Sequence, residues 1–299
     1  MKRFDLRPVP HLPESNLPDT LYRYFGGKVW LREYIIGLIP DTKHWCEGFL
    51  GSGCVSMALP PIQTEIWNDI DPYLIEFWEK VRSDHETLAR YTDFVVYSRY
   101  LFEKYLGDDP DELDELERAW RWWYLQHFSF SGDGRNFIGA PTMGGYYTQY
   151  MKHKAEALPV IYERIQNVYF ESYNVLNLMG RLDDRFVVYY DPPYFKPGAA
   201  KVYQEMRWKK GKKEFDPKAF REKLEEVEHR WILSIDNLEF FSHDDWFYCP
   251  IERVNQFTRV RKPKTTDTEY LITNFDPNAC DLLFDNFISN DQGDMSTWM

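Results

Sequence analysis

The stretch VVYYDPPYFKPG, residues 187–198, decides how the rest of the chain is read. A hydrophobic run closes on Asp191, two prolines and Tyr194, so it reads as a strand ended by a stiffened turn that presents a carboxylate and an aromatic ring. In an α/β protein, ligands bind where strands end in this way.

Working outward, strand-like and helix-like segments alternate as they do in a parallel sheet covered by helices on both faces. Expected strands are 44–50, 64–68, 168–171, 186–190, 231–235 and 269–274. Expected helices are 28–38, 72–81, 174–181 and 217–229, the last with Asp216 to cap it and Pro217 at its first turn. Residues 84–164 break the alternation: an acidic helical start, the aromatic run WRWWYLQHFSF (120–130) and the glycine-rich SGDGRNFIGAPTMGGYY (131–147). That length exceeds an ordinary βα connection and reads as an insertion. Its tryptophans are expected to pack its own core.

Composition narrows the function. The chain has 299 residues and 43% hydrophobic content, enough for a large core. No apolar run approaches the roughly 18 residues of a membrane span, and the polar, proline-broken start is not a signal peptide, so the expectation is a cytoplasmic protein with no membrane partner. Cys46, Cys54, Cys249 and Cys280 form no CxxC pair, which argues against a zinc site or a disulfide framework; no metal is expected. The net charge of −12 is unevenly spread. Acid gathers in 103–117 and in the tail; base gathers in KPGAAKVYQEMRWKKGKK (196–213) and RVNQFTRVRKPK (253–264). Either basic stretch alone reads as a solvated face, but two of them flanking the DPPY turn are less easily dismissed as that and could meet a nucleic-acid backbone.

Four short stretches could carry chemistry. CEGFLGSGCVSMAL (46–59) places Gly51 and Gly53 where backbone can approach a nucleotide-like ligand, although Ser56 stands in the third-glycine position of a dinucleotide fingerprint and no GK[ST] follows. EIWNDIDPYLIEFW (65–78) puts Asp69 at a strand end, where an acid can accept ribose hydroxyls, with Asp71 free to cap the next helix. YRYFGGKVWLREYI (22–35) offers Lys28 to a carboxylate and Tyr24 to an apolar or cationic group. In DPPY itself, Asp191 and the carbonyl of Pro192, held in place by Pro193, can accept the two hydrogens of an exocyclic amine, leaving its lone pair to act as nucleophile. Tyr194 can stack on a base drawn out of the duplex.

In order along the chain, YFGGK (24–28), EGFLGSG (47–53), NDID (68–71), FESYNVL (170–176), DPPY (191–194), WILSIDN (231–237) and TEYLITNF (268–275) resemble the motifs of the Dam-type adenine-N6 DNA methyltransferases. The resemblance implies a doubly wound, mostly parallel Rossmann-like methyltransferase fold with an inserted, mainly helical target-recognition domain. On this reading residues 1–83 and 165–299 bind S-adenosylmethionine and 84–164 recognise double-stranded DNA. It further implies that Tyr24, Lys28, Gly51, Gly53, Asp69 and Asp191 contact the cofactor, Lys28 near its carboxylate. Asp191, Pro192, Pro193 and Tyr194 would orient the target adenine. Arg135 and Asn136 suit base readout, and Lys209, Lys210, Lys212 and Lys213 suit backbone phosphates. Gly48 stands where many relatives have proline, which implies a looser strand end. A cognate restriction endonuclease is a candidate partner. Two alternatives use the same residues: transfer to N4 of cytosine, and a DNA-binding regulator that no longer methylates.

Overall fold

The computed structural model describes residues 1–6, 16–139, 143–193, 215–238, 240–254 and 266–284. Tyr194 and the four lysines at 209, 210, 212 and 213 lie outside the described residues.

The strands are β1 (Lys2–Arg3), β2 (His44–Glu47), β3 (Thr64–Asn68), β4 (Val168–Glu171), β5 (Val187–Tyr190), β6 (Arg230–Ile235), β7 (Phe247–Val254) and β8 (Thr266–Thr273). They form one eight-stranded sheet in the order β1-β7-β8-β6-β5-β2-β3-β4. Every neighbouring pair is parallel except those of β8, which runs against both β6 and β7. The mixed α/β fold with a mostly parallel sheet is as the sequence implies. Two strands, β1 and β7, are not among those expected, and for β7 the reason is visible. Pro250 interrupts its run and reads against a strand. However, β1 covers only Phe247 and Tyr248, so Pro250 lies where β7 is an edge on that side, a position that tolerates a missing amide.

The helices are α1 (Arg32–Ile36), α2 (Pro72–Asp93), α3 (Arg99–Gly107), α4 (Glu115–Phe128), α5 (Gly144–Glu156), α6 (Leu158–Arg164), α7 (Val175–Met179) and α8 (Pro217–Glu226). The carboxylate of Asp216 accepts the amides of Lys218 and Ala219, capping α8. Asp71 caps α2 through the Tyr73 amide, and α2 then runs well past the expected end at 81, breaking locally at Asp84 (φ −157°, ψ 50°). Asp114 and Glu117 close a reciprocal capping box on α4.

All four residues of β5 are buried, and they alternate between two cores. Val187 and Tyr189 pack with Ile35, Trp45 and Ile232; Val188 and Tyr190 pack with Phe220, Trp231 and Leu233. Register places Trp67 on the same face as Tyr189, through Glu47. Around Trp67 a third cluster runs without a break into α2 and α4, taking in Trp78, Trp120, Trp122 and Trp123. The tryptophans of the insertion are therefore core residues, and that core is shared with the sheet.

Gly48 corrects an expectation. Its strand end is not loosened: the Gly48 amide donates to Tyr189 O at 2.8 Å, and its carbonyl accepts from Asn68 Nδ2 at 2.9 Å. A Cβ at 48 would lie 2.7 Å from the Tyr190 ring, whose hydroxyl pairs with buried His229 Nε2 at 2.9 Å. Glycine stands here because Tyr190 fills the space a larger residue would take. Gly48→Ala should cost about 1–3 kcal/mol in urea denaturation, and less in a Tyr190→Leu background, because overpacking is relieved when the ring is removed.

Candidate active site

Between β2 and β5 the connections diverge to opposite halves of the sheet, which is the switch point where open α/β sheets bind ligands. A cleft opens there at the carboxyl ends of the strands. Tyr24, Lys28, Gly51, Asp69, Asp191, Pro192 and Pro193 all line it, so the structure brings together seven of the residues singled out by sequence. Gly53 does not line it. Its amide closes a turn on Leu50 O at 2.7 Å, and its α-carbon backs onto Leu50 and Trp78.

The Lys28 ammonium lies 2.7 and 2.8 Å from the two oxygens of Asp191 and 3.5 Å from Glu269 Oε1 on β8, and it donates to Gly26 O at 3.2 Å. The carboxylates that meet Lys28 are thus the protein's own. Burial pulls the Lys28 pKa down, but the two carboxylates outweigh it and the net shift is upward, so the ammonium stays charged. For Asp191, burial dominates and raises its pKa, while Lys28 and Ser234 oppose the shift. A relay holds the carboxylate from behind: Tyr189 OH lies 2.8 Å from Ser234 Oγ, which donates to Asp191 Oδ1 at 3.0 Å.

The acids of the NDID stretch divide their work. Asp69 accepts the Gly51 amide at 3.0 Å and the Asp71 amide at 2.9 Å, which fixes its orientation at the cleft. Asp71 caps α2 and accepts the Trp122 indole at 3.1 Å. Burial first, then the charge of Asp69, lifts Asp71 to about 7. Tyr22 donates to Gly51 O at 2.8 Å and accepts from the Trp78 indole at 2.9 Å. Gly51 has φ +49°, and a Cβ there would press on the Tyr24 ring at 3.2 Å.

Sequence reasoning assigned no role to Glu47, Asn68, Ser234 or Glu269, although each lies within a stretch that had been quoted. Asn68 donates to the carbonyls of Gly48 and Tyr173 and accepts the Tyr173 amide, tying the exits of β2 and β4 together. Glu47 accepts the Ser56 amide at 3.0 Å. Burial, followed by the charges of Asp191 and Asp69, raises its pKa to about 8 against the opposing Ser56 hydrogen bonds.

Residues 129–137 form a turn closed by a bridge between Ser129 and Phe137. Asp133 accepts the amides of Arg135 and Asn136 and the Asn136 side-chain amide, so both expected base readers are held on one carboxylate. Gly132, at φ +70°, backs onto the neighbouring segment so closely that a Cβ would lie 2.4 Å from Arg23 O and 2.8 Å from Tyr24 N. The turn of the insertion therefore rests on the segment that carries Tyr24 into the cleft. Arg23 itself lies over the rings of Tyr147 and Tyr150 on α5.

The fold is thus an α/β one with a mostly parallel sheet, and a cleft that Gly51, Glu47, Asp69 and Asp191 line opens at its switch point. Residues 24–247 match the family model of the D12 class N6 adenine-specific DNA methyltransferases, and the chain belongs to that family. It is similar to the DNA N-6-adenine-methyltransferase of Escherichia phage P1, 26% identical over 191 residues that cover 61% of this chain and 25% of the phage protein. It is also similar to the DNA adenine methylase of Escherichia coli (strain K12), 28% identical over 186 residues that cover 58% of this chain and 63% of that enzyme. Among the described residues, no helix is long and apolar enough to cross a membrane, and no cluster of His, Cys, Asp and Glu could hold a metal ion.

Glu47 generates a pH prediction. A carboxyl raised to about 8 in the folded protein contributes stability below the ordinary carboxyl range and loses it as pH rises toward 8. Glu47→Gln, which cannot ionise, should raise the melting temperature relative to wild type at pH 9 and leave it nearly unchanged at pH 4. Thermal melts across this range check it.

Proposed function

We propose that this protein transfers a methyl group from S-adenosylmethionine to N6 of an adenine flipped out of double-stranded DNA. The observation that carries the reading is the convergence, in a member of an adenine-specific family, of Asp191, Asp69 and Glu47 on one cleft at the sheet's switch point. The donor set fits the cofactor: the carboxylates of Asp69 and Asp191 suit a ligand with a sulfonium and an ammonium, the Glu47 carboxyl, protonated at neutral pH, can hydrogen-bond beside them, and the Gly51 backbone offers a cradle that a Cβ would narrow against Tyr24. Asp69 would take the ribose hydroxyls, with Gly51, Tyr24 and Glu47 beside the rest. When bound, the cofactor supplies a methyl group activated on sulfur.

The chain's own part is orientation. Asp191 accepts one hydrogen of the target amine and the Pro192 carbonyl accepts the other, so the lone pair points away from both acceptors and is left to act as the nucleophile. Lys28 acts through Asp191, fixing its carboxylate in place. Tyr194 stacks on the flipped base, and Lys209, Lys210, Lys212 and Lys213 neutralise backbone phosphates. Residues 84–164 recognise the DNA; Arg135 reads base edges, and Asn136 does so by exchanging Asp133 for a base. A partner endonuclease belongs to the same reading, and resistance of the methylated DNA to cleavage would reveal it.

Incubation with duplex DNA and S-adenosylmethionine, followed by mass spectrometry of the digested DNA, should yield N6-methyladenine. Asp191→Ala should lower turnover on the order of 10³-fold, since it removes an acceptor that acts in the transition state. N4-methylcytosine without N6-methyladenine would overturn the choice of base. DNA binding without transfer by the wild-type chain would favour a regulator.

A further inference from the structure

Trp122 stands on α4, in the insertion, yet two routes of contact run from its side chain to the two oxygens of one cleft acid. Along the first, its indole donates to Asp71 Oδ2 at 3.1 Å, and the Asp71 amide donates to Asp69 Oδ1 at 2.9 Å. Along the second, its ring meets that of Tyr22 edge to face, with centroids 4.7 Å apart. The Tyr22 hydroxyl donates to Gly51 O at 2.8 Å, and the Gly51 amide donates to Asp69 Oδ2 at 3.0 Å. Trp122, Asp71 and Tyr22 are all buried.

Packing alone does not account for the first route. The neighbouring Trp123 is buried too, and among the described residues its indole nitrogen has no hydrogen-bond partner, so this core accepts an indole whose N–H goes unused. Trp122 instead directs its N–H out of the insertion onto a carboxyl group at the head of α2. Burial and the charge of Asp69 both disfavour the ionised form of Asp71, and the indole opposes them. The other Asp71 oxygen holds the Tyr73 amide at 3.0 Å. With its two oxygens on different partners, Asp71 has little freedom to turn, and its backbone amide stays aimed at Asp69.

Two adjacent hydroxyls on a ribose present two hydrogens at a set spacing, and a carboxylate takes both when its orientation matches theirs. Fixing Asp69 at both oxygens sets that orientation before the ligand arrives, so less ordering is left to be done on binding. We propose that Trp122 is a positioning residue for cofactor binding: acting through Asp71 and Tyr22, it sets the Asp69 carboxylate to receive the ribose hydroxyls of S-adenosylmethionine. The proposal rests on the reading above that Asp69 takes those hydroxyls.

The test is calorimetry of the full chain with S-adenosylhomocysteine and with its 2′,3′-dideoxy analogue, which lacks the groups Asp69 would hold. Wild type should bind the first ~10-fold or more tightly than the second. Trp122→Phe keeps a ring against Tyr22 and removes the donor; it should weaken S-adenosylhomocysteine ~5- to 20-fold and the dideoxy analogue less than ~2-fold. In methyl transfer to duplex DNA the loss should fall on KM for S-adenosylmethionine rather than on kcat. Asp71→Asn breaks the same contact from the other side, since the Asn oxygen can still cap α2 while its amide cannot accept the indole. It should show the same selective loss, and the double variant should lose little more than either single one. Equal losses on both ligands would make Trp122 a packing residue and overturn the proposal, as would unchanged binding of S-adenosylhomocysteine. Should Trp122→Phe fail to fold, Asp71→Asn decides by the same criterion. A wild-type chain that binds both ligands equally takes Asp69 off the ribose and overturns the proposal, and one that binds neither overturns the cofactor reading as well. A chain that binds S-adenosylhomocysteine but methylates no adenine overturns the functional reading alone, and the calorimetry still decides the role of Trp122.

Discussion

The ion pair between Lys28 and Asp191 is the constraint on which the cleft depends. It joins the segment before α1 to the end of β5, and through Ser234 and Glu269 it draws in β6 and β8. Lys28 is 5% exposed, so neither charge can be left without the other at small cost; breaking such a pair by removing one partner typically costs about 3–5 kcal/mol. A buried pair of this kind is weak evidence for stability, since apolar residues can replace it. It is better evidence for placement, because it fixes where the Asp191 carboxylate stands relative to the cleft.

Placement is continued by close backbone approach. Gly132 lets the turn of the insertion lie directly on Arg23 and Tyr24, and Gly51 lets the loop after β2 lie under the Tyr24 ring. The same segment is therefore gripped from both sides, with Lys28 four residues beyond Tyr24 at the cleft floor. Trp122 adds a second connection, since its indole on α4 satisfies Asp71, whose amide in turn helps orient Asp69. The insertion is not an appendage. Its aromatic residues complete the core around Trp67, and its turn supports one wall of the cleft.

Much of this was legible beforehand. DPPY, NDID and GSG were read as strand-end chemistry, and Asp191, Asp69 and Gly51 do line one cleft. The division of labour in NDID, one acid capping and the other facing the ligand side, was left open by sequence because both residues are acceptors two positions apart. Geometry decides it: Asp71 has the Tyr73 amide, and Asp69 has that of Gly51. Glu269 and Ser234 escaped notice because they lie 78 and 43 residues from Asp191, and the pairings that bring them near it, parallel for β6 on β5 and antiparallel for β8 on β6, leave no local signal. Strand β7 escaped because a proline counts against a strand when the neighbour it faces is unknown.

Residue types and their local order were enough to specify the α/β class, the strand ends that bear carboxylates, the capped helices and the family resemblance, because strand periodicity, caps and turn chemistry are set by neighbours along the chain. Partnership was settled only in three dimensions: which carboxylates hold Lys28, why Gly48 has no side chain, and how the insertion supports Tyr24. Each of these depends on groups far apart in sequence meeting within a few ångströms, where burial sets the cost of an unpaired charge or an added methyl group.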